Sequence, residues 1–337
     1  MAWYNTIGKE ADTVISSRVR LARNLVGYPF ASKLDAAGAN EIIEKVSAPL
    51  EAAGFRKINF SDISPVMATS YVERHYVSPE FAQKETPHAL LLQENGGMAV
   101  MVCEEDHLRI QSILPGLALD EAYRNASRIE KRLDEEFDFA YSEKLGYLTH
   151  CPTNLGTGMR ESCMLFLPAL KRAGAIEDTL KTFKSEFGLT IRGVYGEGSD
   201  AAYDMYQISN SRTLGVSEGE IISHVEQAVA RMCYCERVAL EKLVKEKQTE
   251  LLDGISRSYA VLKGAYALTA QELMKLLVDV KIGVILGILP IKSTAITDEM
   301  IWACSASSLQ IITNGSSEEE RDKARARIVR KLLTEEE

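Results

Sequence analysis

Five arginines, one acidic run and one cysteine carry the chemistry this chain can do. Arg18 and Arg20 lie two apart in VISSRVRLARN, and Arg109 follows Glu104-Glu105-Asp106 in VCEEDHLRI. Arg160 closes GYLTHCPTNLGTGMR, and Arg192 precedes the glycine-rich GVYGEGSD. Guanidinium groups stay charged and grip phosphate oxygens two at a time, so such a set suits a polyphosphate. Phosphoryl transfer asks mainly for charge stabilisation and alignment. Its two commonest sequence solutions are missing: there is no G-x-x-x-x-G-K-[S/T], and no H-R-D paired with D-F-G. A cage of arginines is a physically sound third.

The elements that must position these residues follow from local pattern. Tyr147 to Cys151 reads as a short strand running into a Pro/Asn/Gly loop that opens a helix, with Arg160 just inside it and Glu161 to Ala173 helical. Pro152 keeps Cys151 extended, Gly156 and Gly158 permit tight turns, and amides at a helix start suit an anion. Val14 to Leu21 alternates, so Arg18 and Arg20 share one strand face while Arg23 falls off it and reads as structural. Ala89 to Gln93 and Met98 to Cys103 read as a hairpin across Asn95-Gly96, and three acids then meet His107 and Arg109. Three adjacent acids are usually a solvated turn, but apolar strand before them and His-x-Arg after them suit a lined cleft. His75, His88, His150 and His224 carry no signal.

Helices are expected over Asp35–Ala53, Val66–His75, Leu117–Phe137 and Glu177–Phe187, strands over Leu189–Val194 and Asp204–Ser209. The charge run Glu130 to Glu136 reads as a solvated face. Ser217 and Glu220 form a capping box for a long helix past Arg237, and beyond about Lys247 only helices follow, capped at Thr269 and Ser317. Hairpins and helices without βαβ alternation predict an α+β fold: an antiparallel sheet flanked by helices, then a small all-helical C-terminal domain. The expected boundary gives domains 1–245 and 246–337.

With 337 residues, 46% hydrophobic and 26% charged, the chain has core enough for two domains. A net charge of −9 argues against nucleic acid or an anionic membrane as main partner. No apolar run is long enough to span a bilayer, and the N-terminus lacks a signal peptide's apolar core. The six cysteines show neither zinc nor disulfide-framework spacing, and Cys233-Tyr-Cys235 reads as two unrelated thiols on a helix, so a reduced cytoplasmic protein is expected.

The sets SSRVRLARN, VCEEDHLRI, CPTNLGTGMR and RGVYGEGSDA, in that order, resemble the ATP:guanidino phosphotransferases, the family of creatine and arginine kinases. The resemblance runs from about Val14 to the C-terminus and is strongest to the bacterial protein arginine kinases. It implies that Arg18, Arg20, Arg109, Arg160 and Arg192 clamp the triphosphate of ATP, with Mg²⁺ held by phosphates and water. It implies Glu105 as the base that takes a proton from the acceptor guanidinium, with Glu104 and Asp106 supporting it by repulsion. Cys151 matches the family's reactive cysteine, whose thiolate would face the guanidinium. Glu197 stands where arginine kinases carry glutamate and creatine kinases an apolar residue, so two carboxylates would flank an arginine.

Small-guanidine kinases of the family also carry an N-terminal helical domain that closes over a free substrate. The first cage strand here begins at Val14, so a more open site suited to arginine on a protein surface is expected. Glu320 to Ala326 resembles the R-D-x-x-R-A stretch that binds phosphoarginine, implicating Arg321, Asp322 and Arg325. The resemblance further implies protein substrates in a stress response, a zinc-containing activator protein, an AAA+ Clp unfoldase and a homodimer through the C-terminal domain. A kinase of free arginine is the alternative among enzymes, and a phosphoarginine-binding adaptor with a vestigial site the alternative outside them. The full set of arginines with Glu105, Cys151 and Glu197 argues against the adaptor.

Overall fold

The strand carrying Arg18 and Arg20, β1 (Val14–Arg23), lies near the middle of one eight-stranded sheet. A computed structural model describes residues 3–93, 96–194, 202–314 and 317–334. After β1 come α1 (Ala36–Glu51), β2 (Phe55–Asn59), α2 (Pro65–Glu73), α3 (Pro79–Ala82), the hairpin β3 (Ala89–Gln93) and β4 (Met98–Val102), and β5 (Leu108–Pro115). The turn residues Glu94 and Asn95 lie outside the described residues. α4 (Leu119–Asp134) leads to a small ribbon, β6 (Tyr141–Ser142) with β7 (Gly146–Tyr147), and then to β8 (Met159–Phe166). α5 (Pro168–Arg172), α6 (Ile176–Phe187), β9 (Leu189–Gly193), β10 (Met205–Asn210) and α7 (Glu218–Glu246) complete the sheet region. The remainder is helical: α8 (Gln248–Gly264), α9 (Ala270–Ile285), α10 (Thr294–Ala303), α11 (Ala306–Ile312) and α12 (Glu318–Thr334).

The sheet order is β2-β3-β4-β5-β1-β8-β10-β9, with every neighbouring pair antiparallel, as expected of an α+β chain. Caps expected from sequence form at the Ser217–Glu220 box on α7 and at Thr269 on α9; Asp35 also caps α1, and left-handed Gly188 closes α6. Expectations around the glycine loop are overturned: of Tyr147 to Cys151 only Tyr147 lies in a strand. Met159–Phe166 is a strand, so no helix begins at the glycine loop and no helix amides await an anion there. β8 is central, and all of its residues except Arg160 are buried or nearly so on both faces. A strand covered on both sides shows no alternation, and its apolar run mimics a helix.

One face of the sheet carries Val19, Leu21, Val100, Ile110, Cys163, Leu165 and Ile208 into a core with α1, α4 and the first half of α7. The other face carries Met101, Ile113, Met164, Phe166 and Met205 into a second core. That core continues through Leu251, Ile255, Leu277, Met300, Trp302 and Val329 of the C-terminal helices. The helices after Lys247 are therefore packed on the sheet itself. Lys281, with no exposed surface, pairs with Asp298 at 2.5 Å and sits 5.0 Å from the Phe166 ring, tying α9 and α10 to β8.

Two acids on the first face are also buried. Glu130, expected on a solvated face, accepts from Arg23 Nε at 2.6 Å, and the Arg23 guanidinium lies 3.4 Å from the Tyr147 ring centroid. Glu161 has no exposed surface, and neither carboxyl oxygen has a partner among the described residues.

Burial, with Glu226 nearby, pushes the Glu161 carboxyl up to about 8. An unfolded glutamate titrates at about 4.3, so between these values the folded chain holds a proton that the unfolded chain has released. Stability must therefore fall as pH rises through that window. Glu161→Met should raise the melting temperature, and by more at about pH 8 than at about pH 5. An equal gain at both pH values would show that Glu161 does not titrate there.

Candidate active site

Antiparallel register brings the arginines together. Arg20 faces Arg160 across β1 and β8, and Arg18 faces Ser162. On the other side Arg20 lies opposite Gln111 and Ala22 opposite Arg109, so Arg109 projects from the same face of β5. Arg192 on β9 lies opposite Gln207 of β10. This is the face that further along carries the second core, so the sheet presents arginines at one end and apolar side chains at the other. Arg18 Nη2 donates to Gln207 Oε1 at 3.3 Å, and Gln207 Nε2 to Ser209 Oγ at 2.9 Å.

The cluster is electrostatically strained. Burial, then Arg18, Arg109 and Arg160, holds the Arg20 guanidinium well below its ordinary value, and its Nε is buried without a partner. Burial and then Arg192 lower Arg160 as well. Among the described residues the side chains of Arg160 and Arg192 have no hydrogen-bond or ion-pair partner. Guanidinium does not surrender its proton at neutral pH, so what the site lacks is negative charge. Among the described residues no group of three or more His, Cys, Asp and Glu could hold a metal ion.

The acidic run is a turn between β4 and β5, closed by Cys103 N–H donating to the His107 carbonyl at 2.7 Å. Its three acids point to different tasks. Glu104 accepts from Arg109 Nη1 at 2.7 Å, from Ser78 Oγ at 3.1 Å and from the Glu105 amide at 3.0 Å. Asp106 turns inward, is 2% exposed, and accepts from Asn24 Nδ2 at 2.7 Å and the His150 amide at 2.6 Å. Neither lines the cavity that Glu105 faces, and each is engaged in holding the turn. Glu105 alone faces that cavity, 3.6 Å from Arg109 Nη2 and 3.6 Å from His150 Nδ1. His107, expected as either a lining or a structural residue, is structural: its Nδ1 accepts from the Leu25 amide at 3.0 Å and its Nε2 lies 2.7 Å from the Pro29 carbonyl.

Two adjoining cavities share a wall. The smaller, about 290 Å³, is lined by Arg20, Glu105, Arg109, Cys151, Arg160 and Arg192, with Thr153 and Asn154 beyond. The larger, about 730 Å³, is lined by Arg18, Arg20, His75, Val77, Arg109 and Arg192, among others. Cys151 is half-buried, with Sγ 3.0 Å from Thr153 Oγ1. Its loop folds back against the chain after β10: Gly156 has φ +103°, and a Cβ there would meet the Thr213 carbonyl at 2.2 Å. His75, in which the sequence shows no signal, is a wall residue of the larger cavity. Burial, with Arg18 and Arg192, lowers it to about 3, and its ring lies 4.9 Å edge-on from Trp302 of α10. Gln207 was missed too, because only the β9–β10 register places it beside the arginines.

Two expectations fall elsewhere. Glu197 lies outside the described residues. On α12, Arg325 is 3% exposed and donates to the Leu268 carbonyl at 2.6 Å, to the Cys304 carbonyl at 3.4 Å and to Asp322. Arg325 is therefore a tie between helices and not an open phosphate ligand; Arg321 remains half-buried at the surface.

A guanidinium-lined site that suits a polyanion thus lies beside a carboxylate and a thiol on this sheet. The ATP:guanido phosphotransferase C-terminal catalytic domain matches residues 39–239, and the Protein-arginine kinase McsB C-terminal domain matches residues 248–337. A protein-arginine kinase of Halothermothrix orenii is 38% identical over 98% of this chain and 96% of its own length. One of Clostridium acetobutylicum is 39% identical over 98% of this chain and 99% of its own. The fold recurs in the duplicated taurocyamine kinase of Schistosoma mansoni, with TM-score 0.62 and 23% identity over 81% of this chain and 40% of that one. It recurs in lombricine kinase, with TM-score 0.58 and 23% identity over 71% of each chain. The chain belongs to the ATP:guanido phosphotransferase family, in the branch of the protein-arginine kinases.

Arg192→Lys should impair phosphoryl transfer nearly as much as Arg192→Ala, because a point charge cannot reproduce a two-pronged grip. Steady-state kinetics of the two variants measure this. Full activity in the lysine variant would mean that Arg192 supplies only general positive potential.

Proposed function

We propose that the chain transfers the γ-phosphoryl group of ATP to arginine side chains of proteins. The observation that carries this reading is the shared wall: the arginines stand between a cavity of about 730 Å³ that suits a nucleoside and one of about 290 Å³ that holds Glu105 and Cys151. The triphosphate lies along that wall, with its terminal phosphorus towards the smaller cavity. The acceptor guanidinium enters from the Glu105 side. It is a cation without a free lone pair, so a proton must leave as nitrogen attacks. Glu105 takes that proton, the N–P bond forms, the bond from phosphorus to the bridging oxygen breaks, and ADP leaves with that electron pair. The arginines neutralise the charge on the equatorial oxygens. Glu104 contributes by fixing Arg109, and Cys151 places a polarisable group against the acceptor. Glu197 completes the grip on the guanidinium in this reading, which for that residue rests on the family resemblance.

Protein, not free arginine, is the favoured acceptor, because the long relatives matched end to end are protein-arginine kinases and residues 248–337 match their C-terminal domain. We read 246–337 as that helical domain, meeting the catalytic part at the break between α7 and α8. With it come, by the same resemblance, phosphoarginine recognition at Arg321 and Asp322, a homodimer, a zinc-containing activator, an AAA+ Clp unfoldase and a cytoplasmic setting. No helix among the described residues is long and apolar enough to cross a membrane.

Incubation with ATP–Mg²⁺ and either an unfolded protein or free arginine should give acid-labile N-phosphate on the protein. Label on free arginine alone would favour the small-molecule kinase. Glu105→Gln should keep ATP binding and lose about 10²–10⁴ in rate; near-normal turnover would reject Glu105 as base. Titration of phosphoarginine into a catalytically disabled chain, with and without Arg321→Ala, tests the tail. Identical isotherms would place recognition elsewhere.

A further inference from the structure

The catalytic carboxylate sits on a turn that should not hold its shape unaided. Cys103, which opens it, is 1% exposed and has φ +61°, a left-handed conformation that costs free energy for any residue but glycine. A residue so placed persists only where its surroundings over-determine it. Inside, Asn24 holds Asp106 and also accepts the His107 amide at 2.9 Å. Outside, the restraint comes from one short segment before β3. Lys84 Nζ donates to the Glu104 carbonyl at 2.9 Å and to the Cys103 carbonyl, gripping the strained peptide and the next one together. Six residues earlier, Ser78 caps α3 by accepting from the Phe81 amide at 3.1 Å and donates to the Glu104 carboxylate.

We propose that Lys84 is a positioning residue for phosphoryl transfer: by clamping the Cys103 and Glu104 carbonyls it fixes the direction in which Glu105 enters the acceptor cavity. The same segment reaches the other substrate, since Val77, Ser78, Pro79 and Glu80 line the larger cavity. Segment 77–84 thus touches the nucleotide wall at one end and the base-bearing turn at the other. Lys84 itself lines neither cavity and touches no reacting group. Burial lowers the proton affinity of its half-buried ammonium, and the charges of the Cys103 and Glu104 side chains partly offset that.

The inference rests on the function proposed above, so its test carries one readout that needs no acceptor. Lys84→Met should lower kcat for arginine transfer about 10- to 100-fold, the scale on which small misplacements of a reacting group act. ATP affinity by calorimetry should stay at the wild-type value, and Lys84→Arg should recover most of the rate. Hydrogen exchange should quicken across residues 103–107 in the methionine variant while β1 and β8 keep their protection. Unchanged kcat and exchange would overturn the proposal, as would loss of ATP affinity in step with kcat or faster exchange across the whole sheet. If Lys84→Met does not fold, Lys84→Gln, which keeps a single uncharged donor, is read by the same criteria. A wild-type chain that transfers nothing to arginine would reject the proposed function, and the exchange comparison would still decide the role of Lys84.

Discussion

Repulsion among guanidinium groups is the constraint on which the rest of this structure depends. Two unit charges about 4 Å apart in a partly desolvated site repel by about 4 kcal/mol. Arg20, flanked by Arg18, Arg109 and Arg160, is held against repulsion from all three. A loop could not do this, because its free ends would swing the charges into water. A sheet can. Each arginine here stems from a strand whose neighbours are hydrogen-bonded on both sides or, for β9, on one, and whose other face is anchored in a closed apolar core. The free energy stored in that crowding is recovered when a polyanion arrives, so the site is built to favour the bound state.

The acidic turn answers the arginines, and its three carboxylates are placed differently. Glu104 neutralises Arg109 and Asp106 pins the turn to Asn24 and His150, which leaves Glu105 open beside a guanidinium.

The C-terminal helices belong to the same physical system. Their core is continuous with the apolar end of the arginine-bearing face, through Phe166, Met205, Lys281 and Trp302. Trp302 meets His75 on the wall of the larger cavity, so a displacement of α10 would be felt there. Removing one partner of the Lys281–Asp298 pair would leave a buried charge uncompensated, which is typically costly.

What could be read from the residues was whatever depends on local pattern or on chemical type. Helix caps at Ser217 and Thr269, the parity of Arg18 with Arg20, the β3–β4 hairpin and the suitability of guanidinium for phosphate all need only a few neighbouring positions. The family motifs carried the activity, since those residues are required by type wherever they lie. Tertiary structure alone decided the remainder. β8 was misread as helix because burial on both faces erases the alternation that marks a strand. Glu130 left its charged run for a buried partner 107 positions away in sequence, and Arg325 spent its charge on carbonyls of other helices. Which of three adjacent acids faces the acceptor, and that His75 and Lys84 serve the site at all, depends on contacts between strands and loops far apart in sequence. Periodicity records which side of an element is covered, but not by what.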